Sequence, residues 1–361
     1  MNDRLSRLRA VLAERGLPAL LVSAPANRRY ISGFSGSNGA LLITAEVALI
    51  FTDGRYVIQV GREAPDFSLR EIIIPDRPLS ELLIEASVEL NLRTVGIEAA
   101  HVSVAEHYAL AKTMFDSPVE LDPVEGIVES LREVKDADEL ATLRKAIAIT
   151  DAAITAVIPQ LRPDMTERQA AWMLEVAMHE GGGDTISFPI IVAAGPNSAL
   201  PHARPSNDLL GEGRPIIIDM GALFNGYHAD LSRTICLGEP DAQFQTIYGI
   251  VREAQQRALA GLRPELRCNA ADALARDYIT AAGYGEQFGH GLGHGVGLDI
   301  HEGPSLRRAA AGREQNGPRL QAGNVISVEP GIYLEGWGGV RIEDLALITA
   351  DGYEVLSKAA K

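Results

Sequence analysis

The sequence predicts a mixed α/β (α+β) protein of two domains. Three observations carry this: 361 residues are enough for two cores, short apolar runs alternate with helical patterns through the first third, and the order helix, helix, strands then occurs twice. With 33 basic against 48 acidic residues the net charge is −15, and phosphate binding needs clustered Lys and Arg, so no nucleic-acid partner is expected. Hydrophobic residues make up 46% of the chain and charged residues 22%, too apolar for a disordered protein. No window approaches 18 uninterrupted apolar residues, so no membrane span is expected either.

The first stretch, MNDRLSRLRAVLAERG, spaces Leu5, Leu8 and Leu12 along one helical face. A secretory leader would need an apolar core at that place, so a cytoplasmic address is expected. Only Cys236 and Cys268 are present, 32 residues apart and outside any CxxC pattern, which reads as two reduced structural thiols. The runs PALLVSA, GALLIT, VALIFTD, REIIIP and RTVGIE read as strands of an α/β domain over residues 1–124. LDPVEG, residues 121–126, reads as a turn, and the second domain is expected over 125–361.

In the second domain Asp136 with Glu139 makes a capping box for a helix to about Gln160, and Thr166 with Gln169 opens another that Gly181 to Gly183 must stop. Strands ISFPIIVAA and PIIIDMGALF follow. Asp241 then caps a helix to about Ala260, Asn269 one ending near Gly283, and NVISVEP and GVRIEDLALIT complete the second round. Two such halves suggest a duplication closing around a shared cleft.

Three segments carry chemistry. In PIIIDMGALFNGYHADLSRTICL, Asn225-Gly226 is the preferred pair for a tight hairpin. Counting outward, Phe224 faces Tyr227 and Asp219 faces Ser232, which leaves Asp230 diagonal to Asp219 on the same face, roughly 7–8 Å away between backbones. Carboxylates so placed can hold cations or lie solvated on a surface hairpin; the triplet Ile216-Ile217-Ile218 favours a buried strand, where a carboxylate needs a partner. In FGHGLGHGVGLDIHEGP, glycines at 289, 291, 293, 295 and 297 oppose a helix and allow close approach of backbone or ligand. His290, His294 and His301 are three of eight histidines within twelve residues. They read as a ligand-binding cluster or as structural histidines in a glycine-rich turn. In NVISVEPGIYLEGWGGVRIEDLALIT, Glu329 ends an apolar strand before a Pro-Gly turn, while Arg341 and Glu343 share a strand face, as a functional or a surface pair.

Asp219, Asp230, His294, Glu329 and Glu343 together offer four carboxylates and one imidazole. Four negative charges balance two divalent cations, an oxygen-rich donor set suits manganese, cobalt, iron or zinc, and paired ions are a hydrolytic device. Asp219, the 11-residue step to Asp230, FGHxxGHGVGLDIHE, VEPGIY and GVRIED resemble the ordered signature of the pita-bread metallopeptidases, over roughly residues 125–361. NSALPHA and the histidine after GLD are similar to the proline-specific branch, aminopeptidase P and prolidase. NRRYISGFSGSNGALLIT and FTDGRY resemble the creatinase-like N-terminal domain of aminopeptidases P.

The resemblance implies a dinuclear metallo-aminopeptidase that removes an N-terminal residue preceding proline, with Xaa-Pro dipeptidase as the nearest alternative. It implies Asp219 on one metal, Asp230 and Glu343 bridging, and His294 with Glu329 on the other, the ions being two divalent cations, manganese first. Glu329 would also take a proton, and His202 and His301 would stabilise the tetrahedral intermediate. His290 would line the proline pocket, Tyr333 is a pocket candidate, and Arg341 would hold a ligand carboxylate or bind substrate. Short peptides with proline in second position are the expected partners, and a homodimer the expected assembly. A metal-free amidinohydrolase of the same fold would lack part of this ligand set, and a non-catalytic peptide-binding protein is a further alternative.

Overall fold

The computed structural model describes residues 3–309 and 317–361. The chain divides into compact units, Met1–Arg132 and Glu133–Lys361.

The first unit is built on a six-stranded mixed sheet in the order Ser68–Ile72, Ala48–Asp53, Ala40–Thr44, Ala19–Val22, Thr94–Glu98, Glu120–Val124. The two central strands, ALLV and ALLIT, are buried at every position, as unbroken apolar runs require when both sheet faces are covered. The helix Asp3–Arg15 buries Leu5, Leu8 and Leu12 as their spacing demands, with Met1 and Asn2 outside the described residues.

The expected turn at 121–126 is a strand instead. Glu120–Val124 is the parallel edge strand, with Pro123 opposite Ile97. An edge tolerates proline because one side of the strand needs no ladder donor. The following helix, Ile127–Arg132, also stays with this unit, so the division falls later than residue 124. Arg132 donates to Asn27 Oδ1 at 2.7 Å, and the Asn27 amide donates to Glu98 at 2.7 Å and Glu129 at 2.6 Å.

The second unit shows the expected double round. Ala137–Val157 and Glu167–Glu180 start at complete capping boxes, Asp136 with Glu139 and Thr166 with Gln169. They pack on strands Ile191–Ala194, Ile216–Met220 and Leu231–Ile235 around a core that includes Ile154, Leu174, Val192 and Ile218. Ala242–Gly261, capped by Asp241, and Cys268–Ala281 pack on a second sheet around Val251, Ile279, Ile326 and Ile342. The second of these helices begins earlier than the sequence suggests. Its N-cap is Arg267, without a side-chain cap, and Asn269 lies inside the first turn.

The second sheet has the order Glu302–Leu306, Gly293–Gly295, Val325–Val328, Asp344–Ile348, Tyr353–Val355. The glycine-rich segment thus supplies an inner strand. A Cβ at Gly293 would collide with the Ser327 carbonyl, so glycine there lets two strands close on one another.

Candidate metal centre

The hairpin predicted from Asn225-Gly226 forms. Asn225 and Gly226 have φ of 46° and 77°, Phe224 pairs with Tyr227, Leu223 with His228, and Asp219 with Ser232. One register therefore runs through the whole hairpin and sets Asp230 diagonal to Asp219. Ile216, Ile217 and Ile218 are buried, so the strand carries Asp219 into the interior rather than along a surface. Just ahead of the strand Asp344–Ile348, the backbone N–H of Glu343 donates to Ser232 O at 3.0 Å, which brings Glu343 to the same place. Oxygen atoms of Asp219, Asp230 and Glu343 all lie within 4.8 Å of one another.

His294 and Glu329 complete the group. Nε2 of His294 is 3.3 Å from Glu329 Oε1 and 3.7 Å from Asp230 Oδ2. Its Nδ1 lies 3.0 Å from the Gly295 carbonyl, so Nδ1–H donates there and Nε2 is turned to the carboxylates. Ser327 binds both sides of this pair: its Oγ accepts from the His294 N–H at 3.0 Å and donates to Glu329 at 3.1 Å.

Burial pushes the Asp219 carboxyl up, against the opposing charge of Arg341. Asp230 and Glu343 stand well above the ordinary carboxylate range, through burial first and then the neighbouring carboxylates. Burial would raise Glu329 too, but the hydrogen bond and charge of His294 outweigh it and hold Glu329 at about 2. Burial opposes the charged form of His294 as well, and Glu329 overcomes it and raises the imidazole. Asp219 Oδ1 and Glu343 Oε1 are buried with no hydrogen-bond partner among the described residues. Carboxylates crowded in the interior with unsatisfied oxygens require protons or cations. The residues present therefore fit divalent metal ions.

Arg341 is tied into this centre. It donates to Asp219 Oδ2 at 2.7 Å, to Ser232 Oγ at 2.8 Å, to the Tyr333 hydroxyl at 2.8 Å and to Pro201 O at 3.2 Å. Ser232 passes the contact on, donating to Glu343 Oε2 at 2.9 Å. The Tyr333 hydroxyl also meets His290 Nε2 at 3.0 Å. Tyr333 thus meets the centre through Arg341 and His290 and is not among the residues that line the cleft.

The cleft over the centre has a volume of about 580 Å³. Its walls include Asp219, Asp230, His294, Glu329, Arg341 and Glu343, and also His202, His290 and His301, so the sequence-predicted group converges apart from Tyr333. The rings of His294 and His301 are 4.3 Å apart edge to face. Burial, then the charges of His294 and His202, lower His301, and burial lowers His290. Sequence reasoning used Ser232 only as a register mark and passed over Ser327, Arg204 and Arg307; the two arginines line the same cleft. A hydroxyl two residues from a candidate ligand on the same strand face was the available signal for both serines.

The sequence and fold are similar to those of known proteins. Residues 141–350 match the model of metallopeptidase family M24, and residues 4–134 that of the creatinase/prolidase N-terminal domain. The chain is 32% identical to the Xaa-Pro dipeptidase of Pyrococcus furiosus, covering 100% of this chain and 99% of that one. Among solved structures it resembles a Xaa-Pro dipeptidase from Bacillus anthracis, with a TM-score of 0.93 and 37% identity over 99% and 98% of the two chains. An X-Pro aminopeptidase from Thermotoga maritima matches with a TM-score of 0.88 and 35% identity, again over 99% and 98%. With a family match over more than half its length, at the residues that build this centre, the chain belongs to metallopeptidase family M24.

Proposed function

We propose that the protein is a metal-dependent Xaa-Pro peptidase, hydrolysing the bond between an N-terminal residue and a following proline. The observation that carries this reading is the convergence of Asp219, Asp230, His294, Glu329 and Glu343 in one cleft with His202 and His301 on its wall. Similarity to proteins named as Xaa-Pro dipeptidase and X-Pro aminopeptidase supports the substrate class.

The five residues are the ligands we propose for two divalent ions, manganese first. Such ions would supply Lewis acidity and lower the pKa of water. Glu329 is proposed to take a proton as well, as a carboxylate at hydrogen-bond reach can. His202 and His301 are proposed to donate to the carbonyl oxygen as charge develops on it, where a placed donor lowers the barrier most. His301 is held below its ordinary pKa, so the neutral imidazole does this. His290 is proposed for the proline side, Arg341 to fix Asp219, and Tyr333 to fix Arg341 and His290. Proline makes the scissile bond a tertiary amide without N–H, so recognition falls to the ring and the free N-terminus. We also propose a homodimer and a cytoplasmic address, the latter supported by the free thiols Cys236 and Cys268.

A specific observation favours the dipeptidase form. Arg204 and Arg307 are exposed on the cleft wall, and neither makes an ion pair among the described residues, so both are available to the carboxylate of a dipeptide. Initial rates on Ala-Pro, Ala-Pro-Ala and N-acetyl-Ala-Pro-Ala test the reading. Release of alanine from the tripeptide makes it an aminopeptidase, and turnover of Ala-Pro alone a dipeptidase. Equal rates on free and acetylated peptides would contradict the proposed recognition of the N-terminus.

A further inference from the structure

Glu167 opens the helix Glu167–Glu180 and is fully buried, yet no cation pairs with it among the described residues. Its carboxylate is instead filled by donors from one loop. Oε1 accepts from the Ala194 N–H at 2.7 Å and from the Asn197 amide at 3.0 Å; Oε2 accepts from the same amide at 2.8 Å and from the Ser206 N–H at 2.8 Å. Ala194 ends a strand at one foot of the loop and Ser206 stands at the other, so one side chain closes both. The backbone beside Glu167 adds to the closure: the Glu167 N–H donates to Asp208 O at 3.0 Å and the Arg168 N–H to Ser206 O at 3.2 Å.

Between those feet lies the stretch that reaches the cleft, Pro201, His202, Ala203 and Arg204. It is held at its middle by the bond from Arg341 to Pro201 O and by burial of Ala203 against Ile191 and Ala193. Leu200 and His202 themselves are exposed, so their own packing does not fix them.

We propose that Glu167 is a positioning residue for the reaction: it clasps the 194–206 loop and thereby sets His202 against the substrate. The proposal rests on the role given to His202 above. A carboxylate is needed because every group facing it is a donor. Glutamine at this position would turn its NH₂ toward N–H donors in either orientation, so Glu167→Gln keeps the volume and breaks the clasp.

The test uses the metal-reconstituted full chain. It measures kcat/KM on Ala-Pro for the parent, Glu167→Gln, His202→Ala and the double variant, with hydrogen exchange of the amides of residues 195–205. Glu167→Gln is expected to lose about tenfold or more in kcat/KM, but under about threefold when added to His202→Ala, because residues acting as one unit are not additive. Exchange of 195–205 is expected to quicken while the helix Ala242–Gly261 stays unchanged. If Glu167→Gln does not fold, Asn197→Ala removes one arm of the same clasp and is expected to quicken the same amides. A full loss in both backgrounds, or unchanged exchange beside an impaired His202→Ala, overturns the proposal alone. Parental activity in His202→Ala removes the role of His202 and the proposal with it.

Discussion

Arg341 donates to one oxygen of Asp219 at 2.7 Å while the other oxygen of Asp219 is buried without a hydrogen-bond partner among the described residues. A carboxylate held in this way by one oxygen has the second aimed and available, which is the arrangement of a ligand oriented from behind.

Replacing Arg341 by lysine keeps the charge but loses the fork that reaches Asp219, Ser232 and Tyr333 together. Affinity for manganese, measured by titration calorimetry, is expected to fall about 10–100-fold. An unchanged affinity would leave Arg341 with contacts to substrate only.

Metal should also stabilise the fold, since Arg341 and His294 leave Asp219 Oδ1 and Glu343 Oε1 buried without a hydrogen-bond partner among the described residues. At 100 times its dissociation constant an ion that binds only the folded state contributes about 2.7 kcal/mol. For a unit of this size the melting temperature is then expected to rise by about 5–10 °C. Asp230→Asn should abolish most of that rise in scanning calorimetry; an equal rise in the variant would place the binding elsewhere.

Two glycines should respond oppositely to alanine. At Gly221 a Cβ would collide with the Ala229 carbonyl, inside the hairpin that joins Asp219 to Asp230. Gly221→Ala is expected to destabilise by about 1–3 kcal/mol and to weaken metal binding. At Gly249, exposed in the helix Ala242–Gly261, nothing lies within 4 Å, and Gly249→Ala is expected to stabilise by about 0.5–1 kcal/mol. Urea unfolding of the two variants distinguishes them; a neutral Gly221→Ala would mean that the hairpin shifts without cost.

If Arg204 or Arg307 takes the substrate carboxylate, its replacement by serine should raise KM for Ala-Pro. A hydrogen bond to a charged group contributes about 1.5–3 kcal/mol, so the rise is expected at about 10–100-fold. Ala-Pro amide, which has no carboxylate, should be turned over poorly by the parent and no worse by the variant. Equal losses on both peptides would assign the arginines to the wall and not to the carboxylate.

The site was legible where local rules fix three-dimensional neighbours. Asn225-Gly226 sets the hairpin register, and the register alone puts Asp219 opposite Ser232 and diagonal to Asp230. The capping boxes at Asp136 and Thr166 likewise mark both helix starts. Punctuation misled at LDPVEG, where Pro123 marks a sheet edge and not a turn, and at Asn269, a capping type of residue that lies two residues too late to cap. Contacts between distant segments were not legible. Nothing in the sequence joins Ser232 to Glu343, or Glu167 to the two feet of the 194–206 loop. Glu167 sits within a capping box, where an acidic residue already has a local explanation in the helix dipole.

The central claim is that the five converging residues hold metal for hydrolysis before proline. It is tested most directly by stripping the full chain of metal, reloading it with manganese, cobalt or zinc, and measuring bound metal and release of alanine from Ala-Pro together, with Asp230→Asn alongside. The account expects metal to bind and activity to return with it in the parent, and both to fail in the variant. Full turnover by the stripped protein, or metal binding without turnover of Ala-Pro or Ala-Pro-Ala, would contradict it.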